Sequence, residues 1–240
     1  MNPTTQRTIL ITGAAGGLGS KLVDIFLAAG WRVAAGQHSK HAHVATENLK
    51  PVTLDVTNGR QVTSVVEELT ANWGRLDVLI NNAAVTADGP IASLSVDDWQ
   101  RVLDVNLKGA FLCTQAVIPI MMFEQREGHI INISSFAAKN GHAGQANYVA
   151  AKAGLIGLTH SMAREGGKRN VRVNAIFPGV LATPMTAHLT PEQLKELSGS
   201  NVLGRSTTLE EVATFALHLA GMRNVSGQVF QLDSRIGAWT

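Results

Sequence analysis

Residues 8–29, Thr8-Ile9-Leu10-Ile11-Thr12-Gly13-Ala14-Ala15-Gly16-Gly17-Leu18-Gly19-Ser20-Lys21-Leu22-Val23-Asp24-Ile25-Phe26-Leu27-Ala28-Ala29, read as strand, glycine loop and helix. Thr8 to Thr12 is a short apolar, β-branched run that ends at a glycine, the pattern of a buried strand. From Lys21 onward the apolar positions recur at helical spacing. Glycines let the backbone turn tightly and approach a pyrophosphate, and the following helix presents free N–H groups to it. The spacing is G-x-x-x-G-x-G (Gly13, Gly17, Gly19), not the usual G-x-G-x-x-G. The glycines alone are therefore weak support for a nucleotide site; the strand before them and the helix after them strengthen it.

The same alternation continues outward. Residues 32–36, 52–54, 76–80, 129–133, 171–176 and 229–232 read as further strands, and 58–73, 95–124, 147–168 and 210–219 as helices. Strands alternating with helices over short links predict an α/β fold: one doubly wound, Rossmann-type sheet of about seven mostly parallel strands with helices on both faces. No linker divides the chain, so 1–240 reads as a single nucleotide-binding domain. Residues 181–201, after Pro178-Gly179, read as a loop that sets substrate specificity.

Composition narrows the class of function. The chain has 20 basic and 18 acidic residues, 45% apolar residues and 23 glycines. This near balance, without a basic run, argues against nucleic acid as a partner. Cys113 is the only cysteine, so no internal disulfide can form and nothing calls for an oxidising compartment. The N-terminus lacks a long apolar core with a cleavage site, and no window nears 18 uninterrupted apolar residues. A soluble cytoplasmic protein without a membrane partner is the expectation.

Two features point to chemistry. Tyr148-Val149-Ala150-Ala151-Lys152 places a phenol and an ammonium one helical turn apart on one face, and Tyr148 is the only tyrosine. A nearby positive charge favours the phenolate, so Lys152 is expected to make Tyr148 a usable acid/base near neutral pH. The second feature is an absence. Dinucleotide folds that bind NAD carry an acid near the end of the second strand, yet residues 25–46 contain no Asp or Glu, and Gln37 stands about where the acid belongs. Arg32, His38, Lys40, His41 and His43 surround it, so NADP is preferred, with NAD as the alternative. The histidines lack a carboxylate or cysteine partner, and no metal site is assigned to them.

These residues together resemble the short-chain dehydrogenase/reductase family over nearly the whole chain. The resemblance rests on Thr12-Gly13-x-x-x-Gly17-x-Gly19, Asp55, Asn81-Asn82-Ala83, Asn106, Ser135, Tyr148-x-x-x-Lys152 and Pro178-Gly179 with Thr183, in that order. It implies a hydride transfer between nicotinamide and a carbonyl or secondary alcohol. Tyr148 would be the acid/base, Lys152 would tune it and hold the nicotinamide ribose, and Ser135 would bond the substrate oxygen beside Tyr148. Asn106 would hold a proton-relaying water. Gly13, Gly17, Leu18 and Gly19 would cradle the pyrophosphate, while Gln37, His38, Asp55, Val56, Asn82 and Ala83 would line the adenosine side. Pro178, Gly179 and Thr183 would meet the nicotinamide end.

Around the catalytic helix the chain looks most like the 3-oxoacyl-thioester reductases of fatty-acid synthesis. The alternatives are an NAD-dependent dehydrogenase of a sugar, polyol or other secondary alcohol, and a non-catalytic nucleotide sensor. The resemblance also implies a homo-oligomer, usually a tetramer, built through the long helices. Two departures stand out. Gly16 and Gly17 replace the basic residue that many NADP-dependent members carry, and Asp233-Ser234-Arg235 replaces a common Asp-Gly-Gly.

Overall fold

The computed structural model describes residues 6–39, 42–187, 190, 192, 193 and 199–236. Lys40, His41 and part of the 181–201 loop lie outside the described residues. Seven strands form one sheet: β1 (Thr8–Thr12), β2 (Arg32–Gln37), β3 (Leu49–Thr53), β4 (Val78–Asn81), β5 (Gly128–Ile133), β6 (Val171–Phe177) and β7 (Val229–Gln231). Their order is β3-β2-β1-β4-β5-β6-β7, and every pairing is parallel. The order reverses between β1 and β4, and the crevice outside their carboxyl ends is where such sheets take a ligand.

Alternation along β1 explains the two layers. Ile9 and Ile11 face one side, where they pack with Leu22, Val23 and Phe26 of α1 (Gly17–Ala28) and with Val212, Ala216 and Leu219 of α7 (Leu209–Gly221). Leu10 faces the other side, against Val62, Val66 and Leu69 of α2 (Gly59–Trp73) and Cys113, Val117 and Met121 of α4 (Gly109–Pro119). Both faces are covered, so β1 is buried throughout and its centre, Ile9-Leu10-Ile11, is a continuous apolar run instead of an alternating one. Phe26 is fully buried and meets Trp31 edge to face at 5.1 Å; Phe26→Ala should cost about 3–5 kcal/mol.

Three local features differ from the sequence expectation. β3 spans Leu49–Thr53, not 52–54, and pairs Val33 with Leu49 through Gln37 with Thr53. Pro51 lies inside it, a residue tolerated because β3 is an edge strand. The helix expected at 95–124 runs from Val96 to Gln125, capped by Ser95, but it is not uniform: α3 (Val96–Leu103) passes into a π-helical turn at Asp104–Lys108, and α4 into another at Ile120–Gln125. All strands are parallel, where mostly parallel was expected. The run Val96–Gln125 is long and apolar enough to cross a bilayer. It carries Asp97, Asp98, Arg101, Asp104 and Lys108, however, and its buried Val102, Cys113, Val117 and Met121 make it a core helix.

Candidate active site

The glycine loop closes the carboxyl end of β1, and its glycines are there for space. Gly13 has φ +64°, and a Cβ on it would lie 2.7 Å from Ala83 Cα. A Cβ on Gly19 would lie 2.1 Å from the Gly13 carbonyl oxygen, so α1 can pack on the loop only without a side chain there. The Thr12 hydroxyl accepts the N–H groups of Asn82 and Ala83, each at 3.0 Å. In return, Asn82 Nδ2 donates to the carbonyls of Thr12 and Gly13. These bonds lace β1 to β4 and set Asn82 and Ala83 beside the loop. Asn81, by contrast, points into the protein, where it donates to Asn132 and Thr114. On the far side, a Cβ on Gly17 would come within 3.0 Å of Thr183 Cγ2. The segment after Pro178-Gly179 is thus folded against the glycine loop. A shallow cradle of bare backbone at a helix N-terminus, with no acid in the first turn, suits a pyrophosphate.

At the adenosine end, Gln37 closes β2 and is buried. Its Oε1 accepts from Ala42 N at 2.7 Å, while Nε2 has no partner among the described residues. A buried donor of this kind fits a ribose or phosphate oxygen, and β2 itself ends without an acid. His38 is exposed and lies 3.9 Å from Asp55. Burial pushes the Asp55 carboxyl up, but hydrogen bonds from the Thr57 side chain and backbone and the nearby His38 outweigh it and hold it below its ordinary range. Val56 is buried beneath Gly109, where a Cβ would sit 2.6 Å from its Cγ2.

Ser135, Tyr148 and Lys152 come together at the carboxyl end of β5. Ser135 lies two residues past the strand, and the other two lie one turn apart on α6 (Ala146–Gly167). Two contacts dock this helix: Lys152 Nζ donates to the Ile133 carbonyl at 2.8 Å, and Ser134 Oγ donates to the Lys152 carbonyl at 2.8 Å. Between the two adjacent serines, then, Ser134 is structural, while Ser135 faces the phenol of Tyr148 and favours its ionised form. The Lys152 ammonium is 5.6 Å from the centre of the Tyr148 ring.

The electrostatics depart from the expectation that Lys152 makes Tyr148 more acidic. Burial dominates and raises the phenol above its ordinary value; the Ser135 hydroxyl opposes this and Asp88 adds to it. Burial also lowers the Lys152 ammonium, to about 8. Tyr148 is therefore held as the neutral acid at working pH, poised to give a proton.

Asn106 is buried in the π-helical turn. Its Oδ1 accepts from Val85 N at 2.8 Å and its Nδ2 donates to Val85 O at 3.0 Å, so the side chain ties down the loop after β4. One lone pair of Oδ1 and one N–H of Nδ2 stay available beyond these two bonds.

Sequence reasoning missed the residues that aim this loop. Asp88 accepts from Gln145 Nε2 at 2.8 Å, Asn147 donates to Ala87 O at 3.0 Å, and Gly89 N donates to Gly144 O. The only signal was polar residues beside the Tyr148 helix. Pro178 and Gly179 follow β6, and Gly179 (φ +79°) lies against Asp233, with a Cβ there 2.9 Å from Asp233 Cβ.

Residues 7–194 match the sequence profile of the short chain dehydrogenase family. The chain is 42% identical to a 3-oxoacyl-[acyl-carrier-protein] reductase of Thermotoga maritima, covering 95% of this chain and 96% of that one. It is 34% identical to an acetoacetyl-CoA reductase of an Acinetobacter species, over 95% and 96% of the two chains. Among solved structures it superposes on ElxO with NADP bound at a TM-score of 0.89 and 25% identity, covering 95% of this chain and 98% of that one. With the parallel sheet, the glycine loop and the Ser135–Tyr148–Lys152 group in one chain, the match extends from sequence to site, and this protein is a member of the short-chain dehydrogenase family.

Proposed function

We propose that this chain is an NADP-dependent oxidoreductase that reduces the 3-keto group of an acyl thioester to a secondary alcohol. The observation that carries the reaction is the meeting of Ser135, Tyr148 and Lys152 beside the glycine cradle. The thioester is supported by the two acyl reductases to which the chain is similar end to end. NADP is supported by the acid-free end of β2, by the buried donor of Gln37 and by the ElxO structure.

Gly13, Gly17, Leu18 and Gly19 would hold the pyrophosphate, with Gln37, His38, Asp55, Val56, Asn82 and Ala83 on the adenosine side. Pro178, Gly179 and Thr183 would border the nicotinamide, which supplies the hydride when bound. Ser135 donates a hydrogen bond to the substrate carbonyl oxygen, and Tyr148 gives it a proton as charge develops. The phenolate left behind faces the Lys152 ammonium. Lys152, fixed by the Ile133 carbonyl, stays oriented while this happens. Residues 181–201 would cover the acyl group.

The same chain would form a homotetramer in the cytoplasm. Phe111 is 43% exposed on the face that also carries Leu103, Leu107 and Leu158, an apolar strip suited to a second copy. Light scattering after size exclusion tests the assembly, and a monomer would sink it. For the reaction, NADPH oxidation is followed with acetoacetyl-CoA in wild type and Tyr148→Phe. Turnover that the variant loses supports the reading. Turnover only with NAD+ and a sugar alcohol, with none from NADPH and acetoacetyl-CoA, overturns it.

A further inference from the structure

Three neighbouring strands end side by side at the site, and Ser135, Gly179 and Asp233 lie two residues beyond the ends of β5, β6 and β7. The segment after β7 then crosses back. The Asp233 carboxylate is almost fully buried against Gly179; its Oδ1 accepts from Gln231 Nε2 at 2.6 Å and from Arg235 N at 3.2 Å, and its Oδ2 lies 3.0 Å from Arg235 Nε as an ion pair without hydrogen-bond alignment. Held in this way, the Arg235 guanidinium lies 4.5 Å over the ring of Phe136. Phe136 is the residue directly after Ser135 and the N-cap of a short helix, α5 (Ala137–Asn140). Ser135 itself sits in the same turn, its Oγ accepting from Ala137 N at 3.2 Å. From the same segment, Ser234 fixes the end of the 181–201 loop: its carbonyl accepts from Val202 N and its hydroxyl from Leu203 N, each at 3.2 Å.

We propose that Arg235 is a positioning residue for the reaction: clamped by Asp233, it presses on Phe136 and so fixes the turn that aims the Ser135 hydroxyl toward Tyr148. An ion pair this enclosed tolerates little movement, because separating the charges leaves Asp233 buried without its partner. A guanidinium on an aromatic face adds a directional contact that a lysine does not reproduce. The clamp thus fixes the one turn on which the catalytic serine depends. It stands where the family resemblance expects two glycines, which could make no such contact. The inference rests on Ser135 and Tyr148 acting together, not on which carbonyl compound they reduce.

Because Tyr148 is the only tyrosine, 3-fluorotyrosine labelling gives a single 19F resonance whose titration reports its phenol directly, with no substrate present. The other charges around the phenol, Lys152 on its own helix and Asp88 from the loop after β4, stay constant across the variants. Arg235→Met and Phe136→Leu should each move the titration midpoint upward, as Ser135→Ala should, because the Ser135 hydroxyl is no longer aimed at the phenol. Phe136→Trp, which keeps an aromatic face, should restore the wild-type midpoint. In the Ser135→Ala background, Arg235→Met should add nothing. With acetoacetyl-CoA, kcat should fall about tenfold in the Arg235 and Phe136→Leu variants while KM for NADPH holds. The proposal is overturned if Arg235→Met and Phe136→Leu leave the midpoint unchanged, or if Arg235→Met still shifts it without Ser135. A rise in acyl KM alone, with the midpoint unmoved, would make Arg235 a substrate ligand instead. Phe136→Leu leaves the ion pair intact, so the test stands even if Arg235→Met fails to fold.

Discussion

The hydroxyl of Ser134 donates to the backbone carbonyl of Lys152 at 2.8 Å. That bond fastens α6 to the end of β5 and separates the duties of two adjacent serines. Ser134→Ala should lower stability by about 1 kcal/mol and leave kcat within a few-fold of wild type. Ser135→Ala should instead lower kcat by about 10²–10³-fold, the usual loss for one donor to a developing oxyanion, without weakening NADPH binding. Denaturant titrations and steady-state rates on the two variants check the division; equal losses of kcat would contradict it.

Much of this was readable from residues, for reasons that vary along the chain. β1 and the glycine loop are local: a β-branched run, a turn that needs bare backbone and a helix follow one another within 22 residues. Tyr148 and Lys152 share a face by helical period alone. β3 was misplaced because Leu49-Lys50-Pro51 has little strand propensity and is ordered by pairing with β2. The engagement of Asn106 with Val85, 21 residues away, is a tertiary fact that no periodicity encodes. The upward shift of Tyr148 was missed because burial outweighs what a neighbouring charge would do on an exposed helix. Arg235 on Phe136 joins parts of the chain far apart in sequence, and the only hint was a departure from a glycine pair.

Asp88 raises the Tyr148 phenol from across the cleft while Gln145 holds its carboxylate. Reduction needs the phenol protonated, so activity falls as pH rises through its titration. Removing the negative charge favours the phenolate and lowers that titration. Asp88→Asn should therefore move the alkaline limb of kcat/KM for the acyl substrate to lower pH by a fraction of a unit. A pH profile with NADPH saturating measures it, and a limb that stays put or moves up would remove Asp88 from the electrostatics of the site.

Burial lowers the Lys152 ammonium from 10.5 to about 8. Between those values the unfolded chain holds a proton that the folded chain does not, so stability rises with pH across this window. Below pH 8 the buried charge costs about 3 kcal/mol. Lys152→Met removes the charge but strands the Ile133 carbonyl, which costs about 1–3 kcal/mol. The variant should be inactive, no less stable at pH 7, and without the rise in stability between pH 8 and 10. Urea midpoints at the two pH values test this; a variant that keeps the rise would place it on another group.

His129 lies fully buried on β5, its Nε2 accepting from Asn174 Nδ2 at 2.9 Å. Burial, with Arg172 nearby, lowers its imidazole to about 3, against a smaller opposing contribution from the Ala220 backbone. From pH 6.5 down to about 3 the unfolded chain takes up a proton that the folded chain refuses, so stability falls with acid by about 1.4 kcal/mol per pH unit from this group. His129→Gln keeps an acceptor for Asn174 and does not titrate. Between pH 6.5 and 4.5 the wild type should lose about 2–3 kcal/mol more than the variant in denaturant titrations. Equal losses would show that other groups govern acid unfolding.

Gln37 ends β2 with one amide atom engaged: Oε1 accepts from Ala42, and the buried Nε2 meets no acceptor among the described residues. Gln37→Glu changes that donor into a carboxylate oxygen with almost no change in shape. A carboxylate at this point accepts from the ribose hydroxyls of NADH and repels the 2′-phosphate of NADPH. The ratio of kcat/KM for NADPH over NADH should fall by at least about tenfold, with Ala42 still bonded and the fold unchanged. Because the substitution lies at the opposite end of the cofactor from Tyr148, KM for the acyl substrate and the alkaline limb should stay where they are in wild type. Paired NADPH and NADH kinetics decide the matter: an unchanged ratio would mean that the 2′-phosphate is recognised elsewhere, and the exposed His38 would be the next residue to replace.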